Sequence, residues 1–410
     1  MSTLTNSANA PATDVFPNTR PAGCPFDPDP KYAEFHAKES LTKVSTPAGM
    51  DAYVVTDYEE MRTVLGDARV SSRAASSMHA QPDYDPTGPV NTGQVLQLDG
   101  AAHTRLRRML IPEFTVKRMQ ALGPFIERII TEHIDAMLAK GGPVDLQHDF
   151  ALPIPSLVIC EMLGVPYADR AQFQAQSAAL LKTDLPPLEY RAAADEFFQY
   201  MGGLVARKQA EHSDDLIGRL VRRAEDSGQP LTLQELTMLS LTLLIAGHET
   251  TANMIGLSAL ALLRNPEQLD ALRADPSLAE SSVEEMLRYL TIVHFGLARY
   301  ATEDIPLGEE TIKAGEWLIA AIGAGNRDES VFPNADEIDL RREAATHLAF
   351  GFGAHQCLGQ QLARVELREV FSRLFQRIPT MRLAVPFEEI VFKDSALVYG
   401  VKALPVTWDA

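Results

Sequence analysis

One predicted helix constrains the fold of this chain more than any other stretch. Thr232 and Glu235 have the spacing of a capping box, in which a hydroxyl and a carboxylate bond each other's backbone N–H groups. The apolar stretch Leu236–Leu263 follows at once and is interrupted by Ala246–Thr251. A helix of about 31 residues is roughly 46 Å long. It therefore crosses the whole molecule, and the fold must pack around it.

Helical periodicity dominates the sequence from Ala101 for about 190 residues. Short strands are predicted at 48–56, within 291–330 and at 381–385, 388–393 and 397–408, whereas 326–349 has no clear period. The sequence predicts a mainly α fold with minor β-structure, organised as a flexible lead-in (1–30) and a single domain (31–410). Helices are predicted at 102–111, 115–138, 149–163, 168–182, 190–211, 213–226, 232–264, 267–273 and 277–290.

Charge and cysteine content exclude several classes of protein. The net charge of −18 disfavours nucleic acid or an anionic membrane as the main partner, because both attract basic surfaces. Cys24, Cys160 and Cys357 lie far apart, so neither a disulfide framework nor a structural zinc site is expected. No apolar run reaches the roughly 18 residues of a membrane span, and Met1–Thr19 is unlike a signal peptide. We expect a soluble cytoplasmic protein.

The stretch around Cys357 indicates reactive chemistry. Gly353 and Gly359 stand on either side of it and permit positive φ, and an apolar helical segment (358–375) follows. Such a helix directs the positive end of its dipole towards the sulfur, which favours the thiolate. A thiolate is a metal ligand or a nucleophile. For an isolated cysteine, the alternative is a small buried side chain without a reactive role.

The order Phe-x-x-Gly-x-His-x-Cys-x-Gly, from Phe350 to Gly359, resembles the haem-ligand loop of the cytochrome P-450 family. The resemblance implies that Cys357 is the axial thiolate ligand of haem b. It also implies that Phe350, Gly353 and Gly359 form the loop at the cofactor. The expected fold is that of the family, a triangular helical body with small β-sheets.

A polar interruption in the long helix resembles a second family motif. Ala246-Gly247-His248-Glu249-Thr250 matches Ala-Gly-x-Glu/Asp-Thr, the oxygen-activation motif. Taken alone, it is also compatible with a solvent-facing patch, but its apolar flanks favour a buried helix. The central glycine weakens a helix by about 1 kcal/mol, and neighbouring polar groups can open its hydrogen bonds. The resemblance implies that Ala246 and Gly247 lie at the cofactor, that Thr250 donates a hydrogen bond during oxygen activation, and that Glu249 supplies protons.

A third motif is structural. Glu285 and Arg288 have the spacing of an ordinary exposed i,i+3 pair on a helix. With the haem loop, they resemble the family's Glu-x-x-Arg signature, a buried pair joined by a later arginine. Arg342 is the predicted third member, with Arg341 as the alternative.

Haem propionates need cations at one edge of an otherwise apolar site. His103 and Arg107 are four residues apart and share a helical face. By resemblance, they contact the propionates together with Arg299 and His355, although each could be an ordinary surface residue. The family commonly has Asp-Pro-Pro-Glu before this histidine, whereas Asp99–Ala102 here reads Asp-Gly-Ala-Ala. The shape of this turn is therefore not predicted.

Substrate contacts are also implied by resemblance, in 71–98, 167–200, 291–297 and 395–397 and around the middle of the long helix. His294 is unusual because an apolar residue often stands there, and it either bonds a polar substrate group or is solvated. The predicted pocket residues are Leu243, Ala246, Val293, His294, Leu297 and Leu397.

The resemblance implies a monooxygenase that inserts one atom of O2 into a small to medium-sized apolar organic substrate, such as a secondary metabolite, steroid or xenobiotic. The chain ends about 50 residues after Cys357, so electrons are expected from a separate ferredoxin and ferredoxin reductase, and the enzyme is expected to be a monomer. Oxidative coupling or desaturation is the alternative reaction; Glu249 and Thr250 count against a non-catalytic haem sensor or carrier. The predicted ferredoxin surface comprises Arg105, Arg108, Lys117, Arg118 and Arg364.

Overall fold

Helices form most of the regular structure in the computed structural model. It describes residues 14–17, 19–21, 23–38, 41–46, 49–73, 88, 90, 92–170, 176, 186–394 and 396–409. The α-helices are α1 (Lys31–Lys38), α2 (Tyr58–Gly66), α3 (Gly100–Leu110), α4 (Val116–Lys140), α5 (Pro153–Leu163), α6 (Pro187–Glu211), α7 (Leu216–Asp226), α8 (Leu233–Arg264), α9 (Pro266–Ala274), α10 (Ala279–Leu290), α11 (Ile322–Gly325) and α12 (Gln360–Arg377).

The β-structure is small, as predicted. One six-stranded sheet has the order β1-β2-β3-β9-β6-β4, and separate sheets have the orders β10-β11-β5 and β7-β8. The strands are β1 (Asp14–Val15), β2 (Leu41–Ser45), β3 (Asp51–Val55), β4 (Val70–Ser71), β5 (Val144–Asp145), β6 (Leu297–Ala301), β7 (Ile305–Leu307), β8 (Glu310–Ile312), β9 (Trp317–Ala320), β10 (Arg382–Leu383) and β11 (Pro405–Thr407).

The long helix α8 is where the periodicity places it. The Thr232 hydroxyl accepts from the Glu235 N–H and the Glu235 carboxylate accepts from the Thr232 N–H, so the predicted capping box is present. Helix α8 packs against α5, α6, α10 and α12, which surround it with a large cluster of buried apolar side chains. A second cluster covers the six-stranded sheet. The mainly α fold with minor β-structure is therefore confirmed.

Some elements differ from prediction. The predicted strand at 388–393 is wrong: Phe387–Glu389 forms a 3-10 turn, and Phe392 makes only an isolated bridge to Val401. Ile390 and Phe392 there pack against the apolar core without extending a sheet. The predicted helix at 168–182 lies largely outside the described residues. Helix α1 was not predicted, although Asp29 and Pro30 form a helix-start signal and the Asp29 side chain accepts from the Lys31 N–H (3.0 Å).

The N-terminal segment is part of the fold from Asp14. Strand β1 pairs in parallel with β2, and the Phe16 side chain is fully buried against the sheet. Arg20 bonds carbonyl groups at the end of α10. The described part of residues 1–30 therefore contacts the rest of the fold, and the division into a lead-in (1–30) and a single domain (31–410) stays a prediction. No helix among the described residues combines the length and apolarity needed to cross a bilayer.

Candidate active site

The loop that carries Cys357 is closed by its own backbone. The N–H of Cys357 donates to the Phe350 carbonyl (2.8 Å), and the N–H of Gln356 donates to the Gly353 carbonyl (3.1 Å). Gly353 has φ 74°, and a Cβ there would lie 2.3 Å from the Leu65 carbonyl oxygen. Only glycine satisfies both the conformation and this close approach to α2.

The second glycine differs from prediction. Gly359 has φ −81°, so the expected positive φ is wrong there; Gly351, with φ 69°, is the other left-handed residue of the loop. Gly359 instead precedes α12 directly, and a Cβ at this position would have no neighbouring atom of the described residues within 4 Å. Gly359 acts on the Cys357 sulfur through its backbone N–H at the helix start, and not through a positive φ.

Opposing influences act on the Cys357 thiol. Its side chain is accessible, but the surrounding protein solvates a charge poorly, and this desolvation raises the pKa of the thiol. The N–H groups of Gly359 and Gln360 and the guanidinium groups of Arg107 and Arg364 act in the opposite direction. The expected thiolate-favouring contacts are therefore present, yet burial outweighs them. A bound metal cation would supply the missing stabilisation of the thiolate.

Cationic side chains gather at one edge of this loop. The rings of His103 and His355 stack with centroids 4.0 Å apart, and the Arg107 guanidinium donates to the Gln356 carbonyl. Burial, reinforced by His355 and Arg107, lowers the pKa of His103 to about 4. Burial also lowers the pKa of Arg299 on β6 to about 10, so its guanidinium remains charged at neutral pH. The structure thus brings His103, Arg107 and His355 together from α3 and the loop, while Arg299 on β6 is near Asp99, the carboxylate that lies against His355.

The middle of helix α8 has an accessible face. It is buried for most of its length, yet Ala246 is exposed and Ile245 is 43% exposed. The helix is nevertheless continuous, which differs from the expected opening of its hydrogen bonds. The Thr250 hydroxyl donates to the Ala246 carbonyl (2.7 Å). Gly247 is not required sterically, since a Cβ there would make ordinary contact with Ile159.

Glu249 has a partner that sequence reasoning missed. The ammonium group of Lys393 donates to the Glu249 carboxylate (3.3 Å) and to the Asn253 side-chain carbonyl (3.0 Å). Lys393 is 144 residues away in sequence, and no local pattern announces such a contact. Burial and the Lys393 charge lower the pKa of the adjacent His248 to about 4, so this ring is neutral at neutral pH.

The structural triad is buried. Arg288 bonds both oxygens of the Glu285 carboxylate at 2.8 Å, and both side chains are inaccessible, so the exposed-pair alternative is excluded. Arg342, not Arg341, donates to Glu285 (3.2 Å). Arg288 also donates to backbone carbonyls of the 326–349 segment. These bonds fix the chain that leads into the cysteine loop.

The predicted substrate residues are only partly described. Leu397 is 55% exposed, Leu243, Val293 and Leu297 are half-buried, and Val293 forms a bridge to Val398. Most of 71–98 and of 167–185, and residue 395, lie outside the described residues.

A family model for cytochrome P450 matches residues 45–380. The chain belongs to the cytochrome P450 family. Cytochrome P450 enzymes are haem b monooxygenases with a cysteine thiolate as axial ligand. The predicted family, cofactor and enzyme class are therefore confirmed.

Known P450 enzymes match over almost the whole chain. Cytochrome P450-SU2 of Streptomyces griseolus is 46% identical and is covered completely, as is this chain. Vitamin D3 dihydroxylase of the same species is 41% identical, with 99% of this chain and 100% of the relative covered. The crystal structure of CYP105P1 in complex with filipin I is 43% identical, with a TM-score of 0.90 over 97% of this chain and 99% of that one.

The residues present fit the P450 haem. Such a group needs an axial sulfur, cations for two propionates and accessible small or apolar side chains for its faces. The described site has Cys357 at a helix start, positively charged Arg107 and Arg299 at one edge, and Ala246 exposed within a buried helix.

Two acids of this P450 were not predicted. The half-buried Asp99 accepts from the Ser71 hydroxyl and the Ser72 N–H and lies 3.6 Å from the His355 ring. Burial would raise the pKa of Asp99, but these bonds outweigh it and hold the pKa well below its usual range. Asp99 therefore secures the turn whose shape the sequence left open.

The other acid is Glu366 on α12. It is fully buried, neither carboxylate oxygen has a hydrogen-bond partner among the described residues, and desolvation raises the pKa of the carboxyl to about 8. The sequence contains a signal for this burial: Leu362 and Val370 stand one helical turn on either side, so Glu366 shares their apolar face.

Proposed function

We propose that this P450 hydroxylates an apolar organic molecule at a haem held by Cys357. The observation that carries this assignment is the assembly of Cys357, Arg107 and the stacked His103–His355 pair around one loop. Haem, when bound, supplies an iron centre that activates O2 for insertion of one oxygen atom into the substrate. Every other step depends on what the side chains bind, orient or protonate.

Cys357 is the proposed axial ligand. The N–H groups of Gly359 and Gln360 and the positive charges of Arg107 and Arg364 oppose the desolvation of its sulfur, and a bound metal cation would complete the stabilisation of the thiolate. Phe350 and Gly353 shape the loop through the Phe350 carbonyl bond and the left-handed turn.

The propionates are assigned to the cationic edge. Arg107 and Arg299 carry positive charge at neutral pH, whereas His103 and His355 act as hydrogen-bonding rings held in register by their stacking. The Asp99 carboxylate, 3.6 Å from His355 Nε2, orients the His355 ring.

Proton delivery is assigned to the accessible face of α8. Thr250 is the proposed proton donor at the oxygen-activation site, and Glu249 replenishes that proton. The Ala246 carbonyl holds the Thr250 hydroxyl, and the Lys393 ammonium holds the Glu249 carboxylate. Ala246 and Gly247 have the smallest side chains of this face, which leaves space beside the alcohol.

The substrate is proposed to be an apolar organic molecule of small to medium size. The described pocket residues Leu243, Val293, Leu297 and Leu397 are apolar, and they offer contact area without charge. The vitamin D3 named for one relative and the filipin I bound by another support an organic substrate of this kind. Product mass distinguishes hydroxylation, which adds one oxygen atom, from oxidative coupling or desaturation.

Electrons are proposed to come from a ferredoxin and its reductase, with the enzyme acting as a cytoplasmic monomer. Of the predicted docking residues, Arg105 pairs with Glu235, Arg118 with Glu113 and Arg364 with Glu284. Within the described part of the chain, the exposed Arg108 and Lys117 form no ion pair. We therefore expect these two to attract an acidic partner most strongly.

Charge reversal tests this docking surface. Arg108→Glu with Lys117→Glu should slow reduction by a surrogate ferredoxin at low salt and lose that difference at high salt, because screening weakens exposed charges. Lys43→Glu, at an exposed site on β2, is the control. Unchanged reduction kinetics in the double variant would place the docking surface elsewhere.

Thr250→Ala tests the proton route. The variant should retain haem and bind a substrate found by the shift of haem absorption. It should release more of its reducing equivalents as peroxide, and product formation should fall by about a hundredfold. Thr242→Ala is the matched control, because its hydroxyl makes the same bond to the carbonyl four residues earlier. Fully coupled turnover by Thr250→Ala would contradict the assignment.

A further inference from the structure

Arg20, in the N-terminal segment, binds the end of helix α10. Its guanidinium donates to the carbonyls of Phe26 (3.0 Å), Leu290 (3.4 Å) and Thr291 (2.9 Å). Leu290 is the last residue of α10, and Thr291 follows with φ 36°. A charged donor at these carbonyls satisfies acceptors that the helix leaves open and complements its dipole. Arg20 thus fixes where the 291–297 turn begins.

The same guanidinium determines the state of His294. Arginine has only donors, so the contact from Arg20 Nε to His294 Nδ1 (3.4 Å) makes that nitrogen an acceptor. The other nitrogen, Nε2, lies 3.0 Å from the Asp394 carbonyl and must carry the proton. His294 is therefore a neutral ring with both nitrogens bonded within the protein. This differs from both sequence-based alternatives, a substrate contact and a solvated side chain.

A third contact joins Arg20 to the C-terminal hairpin, defined here as residues 390–394 and 396–401. The guanidinium carbon lies 4.0 Å from the centroid of the Tyr399 ring, which stacks on Phe392 with an interplanar angle of 7°. Burial lowers the pKa of Arg20 to about 10, and the Tyr399 group opposes this shift. Arg20 therefore remains a cation at neutral pH, as a cation–π contact requires.

These contacts hold together two segments that carry predicted pocket residues. The N–H of His294 donates to the Leu397 carbonyl (3.2 Å), and that of Tyr399 donates to the Ile292 carbonyl (2.8 Å). Val293 forms a bridge to Val398. Val293 and Leu397 thus have positions that depend on how the turn and the hairpin meet. Arg20 lies at that junction and bonds or stacks on both.

We propose that Arg20 is a positioning residue that sets the substrate pocket by locking the 291–297 turn to the C-terminal hairpin. This proposal rests on the proposed function, because Val293 and Leu397 are pocket residues only if substrate binds beside them. Arg20 acts through His294 and Tyr399. Removing its guanidinium should therefore change the recognition of a long ligand more than the assembly of the haem site.

The test compares two azoles that bind haem proteins, 4-phenylimidazole and 1-dodecylimidazole, by titration of the loaded protein followed by absorption. Arg20→Met should weaken dodecylimidazole binding by about tenfold, because a long ligand depends on both segments. Binding of 4-phenylimidazole should change by less than about twofold, since a short ligand fills less of the pocket. Arg128→Met is the matched control, an exposed arginine over the Phe125 ring, and should leave both affinities unchanged.

His294→Leu is the second variant, used also if Arg20→Met does not fold. It keeps Arg20 but removes both ring nitrogens, and it should weaken dodecylimidazole binding selectively, in the same direction. Equal affinities for the folded variants and the original protein, or an equal loss for both azoles, would overturn the positioning role. A thiolate-type carbon monoxide spectrum in all variants keeps the proposed function intact in either case. Its absence from the unaltered protein would instead refute the haem assignment.

Discussion

The cysteine loop and the C-terminal hairpin combine local backbone closure and distant partners in different proportions. Within the hairpin the Lys393 N–H donates to the Gly400 carbonyl (2.9 Å), and the loop accepts one distant bond at Gln356, from Arg107. In the loop, Cys357 bonds Phe350 and Gln356 bonds Gly353, so both closures lie within ten residues of sequence. In the hairpin, Lys393 bonds Glu249 and the Asp394 carbonyl bonds His294, 144 and 100 residues away. The ligand loop is thus defined mainly by its own sequence, whereas the substrate side depends on distant partners.

This difference separates the chemistry at the cysteine from the recognition of substrate in physical terms. A loop closed by its own backbone keeps its sulfur in one place when neighbours change. A hairpin held by distant side chains moves when any one of them is replaced. The following predictions test that contrast, beginning with the largest expected effect.

The segment that leads into the loop has a buried long-range support, the Glu285–Arg288 pair. Glu285→Gln leaves a fully buried guanidinium without its counter-charge and should lower the free energy of unfolding by about 3–5 kcal/mol. Denaturant unfolding of the loaded protein measures this, with Glu59→Gln, from an exposed i,i+3 pair with Arg62, as control. A change below about 1 kcal/mol would mean that the loop needs no such support.

Helix α12, which follows the loop, buries Glu366, and this predicts a pH dependence. Because the folded pKa is raised to about 8, folding favours the protonated acid. Its stabilising contribution is complete below the ordinary carboxyl pKa and declines as pH rises towards 8, by up to roughly 1.4 kcal/mol per pH unit.

Comparing Glu366→Gln with the original protein isolates this contribution, because other titrating groups are common to both. Glu284, for example, does not confound this range. Its contacts with His347 and Arg364 outweigh burial and lower its pKa to about 2, so its contribution to stability is lost only in acid. The stability of Glu366→Gln should decline less between pH 5 and 8. Parallel curves for the two proteins would show that Glu366 is not a neutral buried acid.

Two of the three glycines of the loop test its local character. Gly353→Ala should destabilise by about 1–3 kcal/mol through strain at φ 74°, with further loss from the approach to the Leu65 carbonyl. Gly359→Ala, at φ −81° and with the added Cβ clear of the described side chains and backbone around it, should have little effect on unfolding. Equal destabilisation by both would show that sequence position, not backbone geometry, governs the loop.

On the hairpin side, Lys393 and Glu249 should show a small coupling. A double-mutant cycle of Lys393→Met and Glu249→Gln should give about 1 kcal/mol from denaturant unfolding, because the pair is half-buried and only moderately close. Lys402→Met, an exposed lysine of the following segment, is the control. Zero coupling would mean that the hairpin is held without this pair.

The contrast also explains what the sequence could and could not predict. Helix α8 was located within a residue, because its capping box and apolar run are local signals. The place of Cys357 between a loop and a helix start was equally legible. The pKa of its thiol was not, since burial depends on the assembled protein and outweighs the local N–H groups.

The remaining misses are tertiary. Arg20 stands in a Pro- and Asn-rich segment that indicates a loose chain, and only the folded molecule brings it to His294 and Tyr399. The Glu249–Lys393 and Asp99–His355 contacts likewise join residues far apart in sequence. At Gly359 the residue type alone predicts a positive φ, because sequence cannot tell a left-handed glycine from one at a helix start.

Carbon monoxide binding to the reduced, haem-loaded protein tests the central assignment most directly. Thiolate ligation by Cys357 predicts the red-shifted absorption band that gives the family its name, and Cys357→Ser should lose it. A band at the shorter wavelength typical of histidine-ligated haem, in the intact protein, would contradict the account.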